Sequence, residues 1–579
     1  MNLRNIKYAL LAGISGIAAL GFTSCDDFLN RAAEDTYNVN NFYQNDEQCY
    51  QGVNYLYSSP WYDFQRGFIK VGEVMSGNMY WSGSPYLTLT VNGTDPDLVN
   101  MSYSLWSVIG HCNTVYNNLK HASASQEAIN ASQGECLAWK AMAYFYLVRT
   151  FGEVPIIHDN AEEIANGTYN EKYKVEKADV FEYIIMTLEK AIEMLPSQPV
   201  APGRIDSYCA KGLLAKVYLA KSGVGQVGTR NQADLDMAAK YAKDVIDNSG
   251  RTLMASYPDI FRLANNTAPE SLFAWRWSAD GEMWTMQNTL QSDLAMQGFD
   301  EFGDTWGGYQ GPSVDLQDAF GVSALDDPSR RSDIDTRRKA TMMMPGDKYE
   351  YFWQDKGGFD VLRFVYDDTY GVGGPGGTWQ SNTGAQNVKH LYGDTYDHEL
   401  GCGVTPKYMY SQLATHILRL SDVYLVYAEA VLGNSSATSD ASALAAFNAV
   451  RNRAIPTASP LTMITFDDIW KERRLEFAHE GDFWYDFVRL SWYNPTKAVA
   501  LLTTQRRNGF YNINDLFKNY YQNGQWSYNP DETRYDTDTQ APNVTVNSFQ
   551  LPFPAEDVVF NPHLLEAPIH VDVRAEYSY

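Results

Sequence analysis

The 579-residue sequence carries nine histidines, six cysteines and 70 acidic side chains, raw material for a hydrolytic or metal centre if the spacing allowed one. The spacing does not. His398-Glu399 and His479-Glu480 lack a second histidine four positions on, so the helical pair that grips a catalytic zinc is missing. There is no Gly-x-Ser-x-Gly elbow and no Gly-x-x-x-x-Gly-Lys-Ser/Thr phosphate loop. Gly371-Val-Gly373-Gly-Pro-Gly376 has the glycine spacing of a dinucleotide loop, but Pro375 and Gly377-Thr378-Trp379 oppose the helix that must follow. Asp536-Thr-Asp538 starts like a calcium loop and lacks its turn glycine and closing glutamate. Carboxylates are too numerous to single out a glycosidase couple. No catalytic residue and no metal ligand is therefore assigned. No cofactor is expected; calcium stays open among the acidic loops, without a legible ligand set.

Aromatic residues are more informative. The chain holds 40 Tyr, 26 Phe and 14 Trp, 14% of all residues, more ring surface than one core comfortably hides. Trp81 sits between Gly77-Asn78 and Ser82-Gly83-Ser84-Pro85, and Trp284, Trp306, Tyr309 and Trp379 lie in a Gly-rich middle region. A sugar ring has an apolar C–H face that stacks on an aromatic plane, while its hydroxyls take amide and carboxylate partners. These five rings are the candidate stacking residues, with Asn78, Asn288, Asp304, Gln310 and Gln380 as candidate polar contacts. Trp275 and Trp277 alternate with Ala274 and Arg276 and read as strand core.

Helices must position these loops. Apolar stripes at helical spacing run through Leu137–Val148, Val180–Leu195, Ala210–Tyr218, Val423–Ala430, Ala441–Ala454 and Phe466–His479. Small residues on the stripes (Ala138, Ala141, Ala210, Ala215, Ala428, Ala430) allow close approach. The expected fold is mainly α, a tetratricopeptide-like scaffold of helix pairs without a strict 34-residue repeat. Loop-rich segments at about 67–100, 275–407 and 508–545 break it; β-like runs at Tyr349–Phe352 and Val361–Tyr366 make the middle one a minor-β region. The loops form the expected ligand-binding face of a single body over 39–579.

The first 24 residues read as a leader. Arg4 and Lys7 precede an uncharged apolar run from Tyr8 to Phe22, too short for a membrane span. Phe22-Thr23-Ser24-Cys25 resembles a lipoprotein cleavage site, making Cys25 the lipidated terminus and 25–38 a tether. No later segment has 18 consecutive apolar residues. Cys136 and Cys209 read as small core residues; whether any two cysteines pair is open. The formal charge of -25 argues against binding a phosphate backbone.

Ordered motifs carry a resemblance. Ile417-Leu-Arg419-Leu-Ser-Asp422 leading to Glu429-Ala430 is followed by Asn448-Ala-Val-Arg451-Asn-Arg453, by Glu472-Arg-Arg-Leu-Glu476 and by Glu480-Gly481-Asp-Phe-Trp484-Tyr-Asp486. Leu551-Pro-Phe-Pro554 and Asn561-Pro562 close the chain, and Trp306-Gly-Gly and Pro312-Ser313 lie in the middle. Together these motifs resemble the SusD/RagB family of Bacteroidetes outer-membrane lipoproteins. The resemblance implies a cell-surface glycan-binding subunit that hands oligosaccharide to a SusC-like TonB-dependent transporter and performs no bond chemistry. A lid role in peptide or glycopeptide uptake is the alternative, and a surface glycoside hydrolase ranks last. Arg419, Glu429, Arg451, Glu472, Arg473 and Trp484 are read as buried scaffold contacts, not as ligand contacts.

Overall fold

The computed structural model describes residues 42–278, 287–299, 305–370, 375–392 and 411–579. Long helices come first and pack in a continuous row. Pro96–Leu119 lies on Gln126–Phe151, which lies on Lys177–Met194; Ser207–Lys221 packs against Lys177–Met194 and Gln232–Asn248. Gln232–Asn248 meets Leu420–Leu432, and that helix meets Ala441–Ala454. These sequence-neighbour pairs bear out the paired-helix expectation.

Local chemistry sets the ends of these helices. Asp95 caps the first by accepting from the amides of Asp97 and Leu98, with Pro96 at its first position. Ser125 caps the second, and Gly152, at φ +77°, ends it. The alanines named above are buried, so neighbouring helices meet closely. Phe466–Phe477 stops two residues before His479, because Ala478 turns extended and His479 takes φ +66°.

Other expectations needed correction. The first loop-rich segment is largely helical: Phe64–Ile69 runs into a π-helical stretch, Lys70–Met75, and the next long helix starts at Pro96. Val361–Tyr366 is a short α-helix, capped by Asp360, and not a strand. Of Tyr349–Phe352 only Tyr349 is in a strand, Lys348–Tyr349, paired with Phe359–Asp360. The third segment contains the helix Ile513–Asn523. All sheets among the described residues have two strands. Ser271–Trp275 pairs with Thr415–Arg419, and Trp275 and Trp277 are buried as expected.

The loop-rich middle has its own core. Phe299, Phe352, Trp353, Phe359, Phe364 and Trp379 pack together with Ile513 and Phe517 from the C-terminal third. The main core lies under the helix row, where Trp61 packs on Trp139 and Trp275 at 5.4 and 5.5 Å between ring centroids. Cys49, Cys112, Cys136 and Cys209 are buried free thiols; Cys25 and Cys402 lie outside the described residues.

Buried charge holds the helical motifs together. Arg419 reaches Glu270, Glu476 and Glu480 at 2.6, 3.0 and 2.7 Å. Arg473 pairs with Asp422 and Asp486, and Arg489 with Glu429 and Asp486. Arg337, from the loop-rich middle, pairs with Glu472, and Trp484 is buried. Arg451 is the exception: its guanidinium donates to the carbonyl of Ser459 at an exposed site. Two residues on, Arg453 takes the network position, reaching Glu270 and Glu476.

Candidate functional site

Two segments far apart in sequence are joined by one short antiparallel pair. Met79–Tyr80 pairs with Gly311–Pro312, Met79 opposite Pro312 and Tyr80 opposite Gly311. Ser313 tightens the join: its amide donates to the Asn78 carbonyl at 2.8 Å and its hydroxyl to the Gly77 carbonyl at 2.6 Å. The pair brings the backbone just before Trp81 to the backbone just after Tyr309 and Gln310. Tyr309 is 59% exposed and Trp306 48%, while Trp81 is partly buried against the main core.

The backbone around Trp306 requires its glycines. The amides of Trp306 and Gly307 both donate to the Ser292 carbonyl, at 3.1 and 3.2 Å. A Cβ on Gly307 would stand 2.3 Å from the Asp293 carbonyl oxygen, and Gly308 adopts φ +89°. A side chain at either position would force this turn apart.

A ladder of alternating charges connects the two tryptophans. The Trp306 indole N–H donates to Asp293 at 3.1 Å. Arg66 donates twice to the same carboxylate, both at 3.1 Å, a fork geometry that only a guanidinium supplies. Arg66 also lies 3.9 Å from Asp97, which pairs with Lys70. The Lys70 ammonium stands 4.7 Å over the Trp81 ring and 5.6 Å over Tyr86, a cation–π contact that fixes both rings. The hydrogen bonds and charge of Asp293 hold the Arg66 guanidinium above its ordinary value. The ladder has two cations and two carboxylates, so it offers polar contacts without net charge.

The candidate residues separate by environment. Trp306 and Tyr309 are exposed, and the ladder ties Trp306 to the partly buried Trp81. Trp379, expected to stack on ligand, is instead 3% exposed and edge-on to Phe517 at 4.8 Å in the second core, so its faces are covered. The polar candidates are buried as well. Asn78 donates to Glu73 and accepts from Arg474; Asn288 donates to the Leu413 carbonyl and accepts from the Leu290 amide. Gln380 accepts from the Gln297 amide, and Gln310 is buried beside its exposed neighbour Tyr309. Asn78, Asn288 and Gln380 satisfy the irregular backbone and the charged groups that a loop-built core contains. Trp284 and Asp304 lie outside the described residues.

Arg66, Lys70, Asp97 and Asp293 were not singled out from sequence. The only local signal is the four-residue spacing of Arg66 and Lys70, which sets them on one helical side. The Asp536 carboxylate, the calcium-like start, caps its own loop by accepting from the Asp538 and Thr539 amides. Among the described residues, Glu176, Asp179 and His570 bring ligand atoms together, on the surface.

Comparison with known proteins places the chain among relatives over nearly its whole length. Residues 269–570 match the family model described as "SusD family", and residues 27–219 match one described as "Starch-binding associating with outer membrane". A "SusD-like protein" of Bacteroides ovatus is 36% identical over 574 residues, covering 95% of this chain and 96% of the relative. A crystal structure with xylogluco-oligosaccharide is 32% identical, with TM-score 0.74 over 90% of this chain and 99% of that one. Surface glycan-binding protein A of Bacteroides thetaiotaomicron, in complex with laminarihexaose, shares the fold at 18% identity, with TM-score 0.63 over 90% and 99%.

Proposed function

The chain belongs to the SusD family, and from that premise we propose that it captures a neutral oligosaccharide on the face carrying Trp81, Trp306 and Tyr309. The reading rests above all on one observation: a strand pair joins the segment before Trp81 to the segment after the exposed Tyr309, and the Arg66–Asp293 ladder links exposed Trp306 to Trp81. Stacking needs flat, fixed, solvated rings, and a bound sugar needs donors and acceptors at their edges. Arg66 and Asp293 lie at the edge of Trp306. The ladder's lack of net charge suits a neutral glycan. The 32% identical structure with xylogluco-oligosaccharide makes a β-glucan of that class the first ligand to test. The wider role follows the family: a lipid anchor at Cys25 on the outer surface, and transfer of the captured glycan to a TonB-dependent transporter without bond cleavage.

The direct test is affinity electrophoresis in xyloglucan-containing gels, with a glycan and peptide array run in parallel. Wild-type protein should be retarded with no reducing ends released. Trp306→Ala should weaken binding roughly tenfold or more, ~1.4 kcal/mol, with an unchanged melting temperature, because the ring is half exposed. Retardation that survives loss of Trp81, Trp306 and Tyr309 together would remove this face as the site. Binding of peptides and of no glycan would overturn the ligand class.

A further inference from the structure

A second aromatic cleft shares no lining residue with the Trp81–Trp306 face. Val99, Tyr103 and Trp106 fall on one stripe of the Pro96–Leu119 helix and form one wall. The opposite wall is Tyr169 stacked on Phe560, with centroids 5.7 Å apart and planes at 29°. Phe553 also lines the cleft, its ring stacked on Phe151 at 5.2 Å and 12°. The cleft is open to solvent and has a volume of about 380 Å³, within the range of small-ligand sites. Tyr103 is 65% exposed, and Tyr169 and Phe560 are also exposed. Three chain segments thus converge to hold solvated rings around a concavity.

The polar lining limits what fits. Glu556 and Asp557 bring two carboxylates, and Asn561 is anchored by donating to the Lys172 carbonyl at 2.8 Å. Asp557 accepts from the Ser102 hydroxyl at 2.8 Å, and burial pushes its carboxyl above the ordinary range. Lys172, the cleft's one base, pairs with Glu163. Such a lining repels anionic ligands and offers acceptors to hydroxyl groups. The aliphatic side chains Val559 and Leu565, exposed nearby, do not line it.

We propose that the cleft between Tyr103 and the Tyr169–Phe560 stack is a second binding site for a neutral glycan. This rests on the reading of the protein as a glycan binder, but not on which residues form the first site. The same helix serves both: Asp97 joins the ladder, and Tyr103 is six residues on, ~9 Å along the axis. Two sites served by one helix would engage one polysaccharide chain together, raising its affinity over that of a short oligosaccharide.

Calorimetry on the full chain with xylogluco-oligosaccharide and with xyloglucan tests this. Two variants are compared with wild type. One carries Trp81→Ala, Trp306→Ala and Tyr309→Ala; the other carries Tyr103→Ala, Tyr169→Ala and Phe560→Ala. The single variant Tyr103→Ala is a control should the triple cleft variant misfold. Two oligosaccharides per chain are expected in wild type, one in each variant and none when the variants are combined. The cleft variant should also lose about tenfold in polymer affinity. A stoichiometry of one that the cleft variants leave unchanged would overturn the second site and leave the first intact. Binding lost only in the cleft variants would sustain the second site and overturn the first. Absence of glycan binding in wild type would overturn both. A cleft variant that binds glycan normally but loses affinity for an aromatic-rich peptide would reassign the cleft to protein docking and overturn the proposal.

Discussion

Glu73 shows how one side chain under the candidate face is shaped by its surroundings. It is fully buried, one turn after Lys70, and accepts from the Gly481 amide at 2.7 Å and the Asn78 side chain at 3.0 Å. Burial pushes its carboxyl up to about 7, despite those donors and the nearby Lys389 ammonium. A carboxyl whose folded value is raised contributes stability that is present below about 4.5 and lost as pH rises through about 7. Relative to wild type, Glu73→Gln should therefore gain stability between pH 5 and pH 8, on the order of 3 kcal/mol. Chemical denaturation at both pH values measures this; a constant difference would show that Glu73 is ionised throughout. Little of this is visible in sequence, where the residue lies in an apparent loop.

The supporting elements depend on close approaches that only glycine permits. In the π-helical stretch Lys70–Met75, a Cβ on Gly72 would come within 2.2 Å of the Gly481 carbonyl oxygen. Buried Arg507 donates to the Val74 and Met75 carbonyls at 2.7 and 3.0 Å, closing the stretch. π-Helical turns are costly and recur at functional sites; here one carries Lys70 to the Trp81 ring. Across the strand pair, Gly307 has the same role for Trp306. Gly307→Ala should push the turn off the Asp293 carbonyl, costing ~1–3 kcal/mol of stability and weakening glycan binding. Thermal melts with affinity gels check both. Normal binding at a normal melting temperature would show that the turn tolerates the methyl group.

At the scale of the molecule, buried carboxylates hold the helix row to the loop-rich middle. Three guanidinium groups, Arg453, Arg419 and Arg337, hold Glu476 down to about 2 although burial alone would raise it. Arg489 and Arg230 do the same for Glu429, also to about 2. Depressed folded values contribute stability that is full above about 4.5 and lost as pH falls toward 2. Melting temperature should therefore drop steeply below pH 4.5. Moderate salt should change that drop little, since buried pairs are weakly screened. Calorimetric scans from pH 6 to pH 3 test it; a level profile would mean the network adds no net stability.

Much of this was legible in the residues themselves. Apolar periodicity located the helix row, because a 3.6-residue repeat reports burial along a single helix whatever it packs against. The Arg/Glu motifs signalled a buried scaffold for a related reason: guanidinium and carboxylate groups inside helical stripes have to find each other. Ring placement marked Trp81, Trp284, Trp306, Tyr309 and Trp379 alike as candidates, and of these Trp306 and Tyr309 are exposed. Tertiary structure alone separated Trp379 from Trp306. Both lie in the Gly-rich stretch, but whether a loop ring is covered depends on what arrives from elsewhere, here Phe517 from 138 residues away. The same holds for Arg66 and Asp293, 227 residues apart. Their pairing is a property of the closed chain, and no local spacing encodes it.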